Sequence, residues 1–291
     1  MKGKIIGNIS NLYKIKVEEK TYEATARGKL KQDEIKPVVG DEVEIEIVEG
    51  ENNKAVITQI YERKTYIKRP KIANVTQIVL IVSTTSPKPD LLMLDKQLAY
   101  AEYLKINPII IINKIDLKDT YRQIEETYKK IGYDVYPITA KDPETAKKLK
   151  EKLKNQVNVF AGNSGVGKST TINALFNENI TLEGEISKKN QRGKNTTTDV
   201  KLYQLEENTY IADTPGFSTF EITEIESSDL AEYFKEFKEQ IPKCEFVGCT
   251  HIKEENCGIK QAVEDGIISK ERYERFCKIY EEIKEKEEHK W

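Results

Sequence analysis

Four groups of residues in this 291-residue chain have the types and spacing to do chemistry. The first is Gly162-Asn163-Ser164-Gly165-Val166-Gly167-Lys168-Ser169, followed by Thr170, which matches the phosphate-binding P-loop pattern. Its glycines let backbone N–H groups curl round a β-phosphate, Lys168 reaches the β/γ oxygens, and the Ser169 hydroxyl can ligate Mg²⁺. The second is Asp213-Thr214-Pro215-Gly216, about 45 residues after Lys168. There Asp213 can hold the Mg²⁺ shell and the Gly216 N–H can meet a γ-phosphate. Taken alone, an Asp-x-Pro-Gly turn is common loop chemistry. Its distance from the P-loop and its place after an apolar run give it weight.

The third group sets the base. Asn113-Lys114-Ile115-Asp116 follows an isoleucine run. An aspartate so placed can accept two hydrogen bonds from guanine N1–H and N2–H₂, a donor pair that adenine lacks. The group therefore argues for GTP over ATP. Asn113 would brace the P-loop and the base, and the Lys114 stem would pack on the base plane. Ile138-Thr139-Ala140-Lys141 fits the weaker loop whose backbone meets the base oxygen. The guanine elements precede the P-loop, the reverse of the usual order in small GTPases. A sheet survives such a circular permutation if the old termini were close enough to be joined. The switch at Asp213–Phe217 then runs directly into the C-terminal region, which is expected to sense the γ-phosphate.

A fourth group is metal-like. Cys244, Cys249, His251 and Cys257 supply three thiolates and an imidazole, the complement of a closed tetrahedral zinc site. The spacing is not that of the common finger, and reduced cysteines packed as small hydrophobes are the alternative. Cys277, on an apolar helix face, reads as core.

The elements that must position these groups can be read from hydrophobic period. To about residue 64, short alternating runs near 4–9, 12–17, 21–27, 43–47 and 54–60 predict five strands and a small barrel. An OB-like barrel leads because that fold commonly presents a face to nucleic acid; an SH3-like or other small barrel is the alternative. Gln77–Val82 and Ile109–Ile112 read as strands buried on both faces, with a helix over Asp90–Lys105 between them. Strands over Val135–Ile138, Val157–Ala161, Val200–Leu205 and Thr209–Ala212 complete an α/β domain with a mainly parallel sheet. After about residue 222 the chain reads as helical and acidic, with Tyr273, Phe276, Cys277, Tyr280 and Ile283 on one face. The expected division is residues 1–64, 65–222 and 223–291.

Charge and composition limit the partners. The net charge of −2 provides no global attraction to nucleic acid. Residues 1–64 balance 12 basic against 12 acidic side chains, and residues 223–291 carry 12 against 18. RNA contact would need local patches: Lys64, Lys68, Arg69 and Lys71, or Lys188 to Lys194. A solvated face explains either run equally well. No apolar run is long enough to cross a bilayer, the first residues show no signal-peptide core, and four cysteines do not make a disulfide framework. The expectation is a cytoplasmic protein with no membrane partner, acting as a monomer.

On these residues the chain resembles the RsgA family, the circularly permuted GTPases of bacterial small-ribosomal-subunit assembly. The resemblance spans nearly the whole chain. It implies hydrolysis of GTP to GDP and phosphate, action on the 30S subunit and its 16S rRNA, and stimulation by that subunit. It also implies a structural zinc ion held by Cys244, Cys249, His251 and Cys257. The segment Arg192–Thr198 resembles the family's switch I, with Mg²⁺ ligated by one of Thr196, Thr197 and Thr198. Lys168, Gly216 and Thr198 would then be the groups acting on the γ-phosphate.

Two departures bear on catalysis. The family usually has a histidine just before the threonine run, and here that position is Asn195. Phe217 stands where Ras-type enzymes place a water-orienting glutamine. The pair predicts slow intrinsic hydrolysis and strong acceleration by a partner. The alternatives are a GTP-switched RNA-binding module with vestigial hydrolysis, a permuted GTPase of the large subunit, and, opposed by Asp116, a P-loop ATPase.

Overall fold

The computed structural model describes residues 1–28, 36–119, 121–139, 142–176, 200–213 and 224–289. The chain divides into two compact units. The first holds residues 1–79, 140–161 and 168–217; the second holds 80–139, 162–167 and 218–291.

The first unit opens with β1 (Lys2–Ile9), β2 (Leu12–Val17), β3 (Lys20–Ala26), β4 (Glu42–Ile47) and β5 (Lys54–Ile60). Their order is β1-β2-β3-β5-β4, and β4 pairs back onto β1, so the five strands close an OB-like barrel. Closure depends on the parallel β3–β5 pair, Glu23↔Lys54 to Ala26↔Ile57. The alternation read from sequence turns Ile5, Ile15, Val43, Ile45 and Ile57 inward, where they are essentially inaccessible. A short hairpin follows, β6 (Tyr66–Lys68) with β7 (Lys71–Ala73). It carries Lys68, Arg69 and Lys71 exposed at its tip, with Lys64 exposed just before it.

The same unit contains α3 (Pro143–Leu153), β11 (Val157–Ala161), α4 (Lys168–Phe176), β12 (Lys201–Glu206) and β13 (Thr209–Asp213). β11 runs parallel to β13, β12 is antiparallel to β13, and β12 meets β1 at Gly7↔Lys201. Asn158, fully buried in β11, satisfies its amide on Leu153, Gln156 and Tyr210 carbonyls at 3.0–3.2 Å.

Strand β8 (Gln77–Ser83) begins in the first unit and ends in the second. The second unit continues with α1 (Leu91–Tyr103), β9 (Asn107–Asn113), α2 (Tyr121–Ile131) and β10 (Asp134–Pro137). β10 lies parallel to β9, Asp134↔Ile109 through Pro137↔Ile112. After residue 224 come 3₁₀ turns at Ser227–Tyr233, Lys235–Phe237 and Ile241–Lys243, then α5 (Gly258–Glu264) and α6 (Lys270–Glu288). The approach to the cysteine cluster is thus 3₁₀ where sequence suggested helix in general. Pro242 in the last turn lacks the N–H that a longer α-helix would need.

The apolar face expected for α6 is present, but its inner stripe also includes Arg272, 1% exposed. Its guanidinium bonds Asp95 and Glu236, and Arg275 bonds the other oxygen of Asp95. Burial alone would lower the Arg272 pKa; Asp95 and Glu236 outweigh it and hold the guanidinium well above its usual value. Two carboxylates balance two guanidinium groups, which is what makes this buried set tolerable.

Candidate nucleotide site and metal centre

The guanine and phosphate loops meet at the end of β9. Asn113 is 2% exposed; its Nδ2 donates to the Val166 carbonyl at 2.9 Å while its Oδ1 accepts from the Lys114 N–H at 2.8 Å. Gly167 (φ +100°) has to be glycine here, because a Cβ would lie 2.2 Å from Asn113 Nδ2. Gly162 (φ +141°) is held to the same rule by the Ile81 carbonyl, 2.3 Å from where its Cβ would be. Both residues are therefore cradle glycines. Their missing side chains let the loop close on its neighbours.

Lys114 adopts φ +64° and donates its Nζ to the Gly165 carbonyl at 2.7 Å and to the Ser86 carbonyl. It braces the P-loop beside Asn113, a role that sequence assigned to Asn113 alone. Nothing in its neighbours' identities announces this. The Lys114 carbonyl in turn accepts from Thr84 Oγ1 at 2.7 Å. The Ile115 N–H reaches the Ile138 carbonyl at 3.3 Å, and the Ile138 N–H reaches Ile112 at 2.8 Å. The two base-recognition loops are thus tied by backbone bonds, with Asp116 exposed beyond them and Thr139 half-buried. Ala140 and Lys141 lie outside the described residues.

In the P-loop, Ser164 and Gly165 are exposed and Val166 is buried. Asn163 donates its Nδ2 to Asp90 Oδ2 at 3.0 Å. Lys168, Ser169 and Thr170 form the first turn of α4, where the helix dipole favours phosphate. Asp213 ends β13, the strand end expected for a magnesium-shell carboxylate. Thr214–Phe217, including Gly216, lie outside the described residues. So do Lys188–Lys194, Asn195, Thr196, Thr197 and Thr198.

The Cys/His group is a compact cluster. The ligand atoms of Cys244, Cys249, His251 and Cys257 lie within 4.8 Å of one another. His251 Nδ1 is 3.5 Å from Cys244 Sγ and 3.4 Å from Cys257 Sγ, and those two sulfurs are 4.0 Å apart. Bond lengths of about 2.3 Å to sulfur and about 2.0 Å to nitrogen give tetrahedral edges of about 3.8 Å and about 3.5 Å. The donor set is therefore compatible with zinc. Burial pushes the Cys249 thiol up to about 12 and raises Cys257 too, so a dication is what would favour the thiolates. Cys277 is half-buried on α6 and is not one of the four.

Sequence reading missed what shapes this loop. Glu254 accepts from the Thr250 N–H and hydroxyl at 2.8 Å and from the Ile252 N–H at 3.2 Å. Burial opposes its charge, yet these bonds hold its carboxyl down at about 2. Tyr273 donates to the His251 carbonyl at 2.7 Å. A Cβ on Gly258 would sit 2.5 Å from the Gln240 carbonyl, so only glycine lets α5 start directly after Cys257.

Comparison with known proteins decides the family. The RsgA GTPase family model matches residues 60–223, and that of the RsgA N-terminal domain matches residues 2–57. The chain belongs to the RsgA family. Among curated RsgA proteins, a small ribosomal subunit biogenesis GTPase of Clostridium botulinum (strain Eklund 17B / Type B) is 43% identical over 294 residues. One of strain 657 / Type Ba4 is 40% identical over 295 residues, and each pair is covered in full. Among solved structures, the circularly permuted GTPase YloQ aligns with a TM-score of 0.82 at 33% identity, covering 98% of this chain and 95% of its own. YjeQ from Thermotoga maritima aligns at 0.83 and 34%, covering 97% and 98%. This RsgA-family chain is a GTPase with its motifs in permuted order, and an RsgA GTPase implies GTP/GDP and Mg²⁺. No helix among the described residues is long and apolar enough to cross a membrane.

Proposed function

We propose that this chain hydrolyses GTP during late maturation of the small ribosomal subunit, touching its 16S rRNA and being accelerated by the assembled 30S particle. The observation that carries the nucleotide reading is the Asn113 amide docked on Val166, with Gly167 vacating the space beside it. That contact couples guanine recognition to phosphate binding through one side chain. The ribosomal role rests on the names of relatives that align over their full length.

The base is assigned to Asn113, Lys114, Ile115 and Asp116, and the phosphates to Gly162–Thr170. Water attacks the γ-phosphorus in line, and Lys168 and the Gly216 N–H meet the charge spread over the transferred group. Mg²⁺, when bound, would neutralise part of that charge, with Ser169, Asp213 and one of the switch I threonines Thr196, Thr197 and Thr198 as its protein ligands. Zn²⁺ in the Cys₃His set is structural, since four protein ligands leave no open position. Three modules fit this division of labour: 1–64, 65–222 and 223–291, working as a cytoplasmic monomer. The exposed Lys64, Lys68, Arg69 and Lys71 form the rRNA-facing patch.

GTP turnover should be measured alone, with 30S, with 50S, and with ATP as control. Slow turnover alone and acceleration by 30S only is the expected result. Stimulation by neither subunit, or by 50S instead, would remove the small-subunit role; equal use of ATP would remove the assignment of Asp116.

A further inference from the structure

Asp90 divides its carboxylate between two elements. Oδ1 accepts from the Met93 N–H at 3.0 Å and caps α1; Oδ2 accepts from Asn163 of the P-loop at 3.0 Å. One side chain thus ties the second residue of the phosphate loop to the start of a 13-residue helix. Further along, that helix is fastened to α6. Asp95, with no exposed surface, bonds both Arg272 and Arg275, and Lys96 pairs with Glu282. Near its end Glu102 meets Lys235 and Lys238 at 3.4 Å. A rod of about 20 Å, pinned by buried charge at its middle, cannot shift at one end without dragging α6.

The contact between α1 and the P-loop also holds an unsettled group. Gln97 is 2% exposed and its Nε2 has no hydrogen-bond partner among the described residues. It lines a slot of about 10 Å³ together with Asp90, Gly162, Asn163 and Val166. A buried orphan amide is costly, about 1–3 kcal/mol, and such groups in a native fold call for an explanation. An unpaired donor buried against the P-loop gives this contact reason to possess a second arrangement.

We infer that Asp90 is a positioning residue through which α1 transmits the state of the P-loop to α6, a route separate from the switch loop. The inference rests on the assignment of Gly162–Thr170 to a guanine nucleotide. By linkage, whatever binds the C-terminal region then alters nucleotide affinity by the same factor. The mechanism requires only that α1 and the P-loop adopt two relative positions that GTP and GDP populate differently.

Hydrogen exchange of the α6 amides, residues 270–288, tests this in the full-length chain loaded with a non-hydrolysable GTP analogue or with GDP. Wild type should show a nucleotide-dependent difference of about fivefold or more, the lower range of allosteric coupling. Asp90→Ser keeps an N-cap for α1 but has no second oxygen for Asn163, so the difference should fall below about twofold. Asp90→Asn, whose carboxamide can pair with that of Asn163, should restore it. Gln97→Met removes the orphan donor without touching the cap and should also shrink the difference, which covers a poorly folding Asp90 variant. An α6 difference unchanged in Asp90→Ser and Gln97→Met, or absent from wild type that binds both nucleotides, overturns the inference and leaves the nucleotide site standing. Failure of wild type to bind either nucleotide, measured by fluorescence titration, would sink the site and the inference together.

Discussion

The barrel and the C-terminal region are of similar length and are held together by different means. Strands β1–β5 pair through backbone hydrogen bonds and bury an aliphatic core, with Ile5, Ile15 and Ile57 at 0% exposure. The C-terminal region has a small aromatic core, Phe276 lying 5.2 Å from Phe234 and 4.9 Å from Phe237 between ring centroids. It adds two cross-links of another kind, the Cys₃His cluster and the Asp95–Arg272–Glu236 set. Where regular structure is scarce, specific polar side chains and a zinc-compatible Cys₃His set fill the role that strand pairing fills elsewhere.

The strongest way to break this contrast is to remove the zinc ion proposed for the Cys₃His set. Structural zinc binding supplies about 10–16 kcal/mol in small modules. Chelation, or Cys257→Ala, is therefore expected to abolish exchange protection in residues 241–264 while leaving the barrel amides protected. Equal loss in both regions would end the contrast. Next is Asp95→Leu, which leaves the guanidinium groups of Arg272 and Arg275 with only Glu236 of their two carboxylates and should cost about 3–5 kcal/mol, read from denaturant midpoints. Adding Arg272→Leu should recover part of the loss.

Ile57→Ala in the barrel should cost about 2–4 kcal/mol as a simple cavity, with no recovery available from any charge partner. Smaller in stability but specific in binding, Gly167→Ala forces a Cβ against Asn113 and should weaken GTP at least about tenfold, about 1.4 kcal/mol, by fluorescence titration. Smallest of all, Lys68→Ala at the hairpin tip should leave stability within about 0.5 kcal/mol. Its effect should be confined to affinity for the subunit and to the salt dependence of that affinity.

The same contrast explains what could be read in advance. All five barrel strands were legible because a half-buried strand repeats every second residue, as Val43 and Ile45 do, while Ile47 at the end of β4 turns out exposed. The P-loop and guanine loops were legible because phosphate and guanine constrain residue types at fixed offsets. The buried ion set was not. Asp95, Glu236 and the Arg272/Arg275 pair are far apart in the chain, and each resembles an ordinary solvated charge. Arg272 sits one turn before Phe276 on the inner stripe, and only the tertiary partner shows why a charge is tolerated there. The sequence marks Lys114 as a platform for the base; its second role as a P-loop brace depends on a φ of +64° that no neighbour dictates.

The pairing of β1 has a consequence for synthesis. This strand is made before β2–β13, yet it takes its place beside β2, β4 and β12, and Gly7 waits for Lys201. At about 5–20 residues per second the nascent chain passes roughly 10–40 s between those two residues. The barrel can close long before then, since β1 to β5 are complete by Ile60. One flank of β1 near Gly7 stays an open edge until the GTPase half of the protein has emerged. During translation that edge is the place where a chaperone would be most useful, and where two nascent chains on one messenger could pair wrongly.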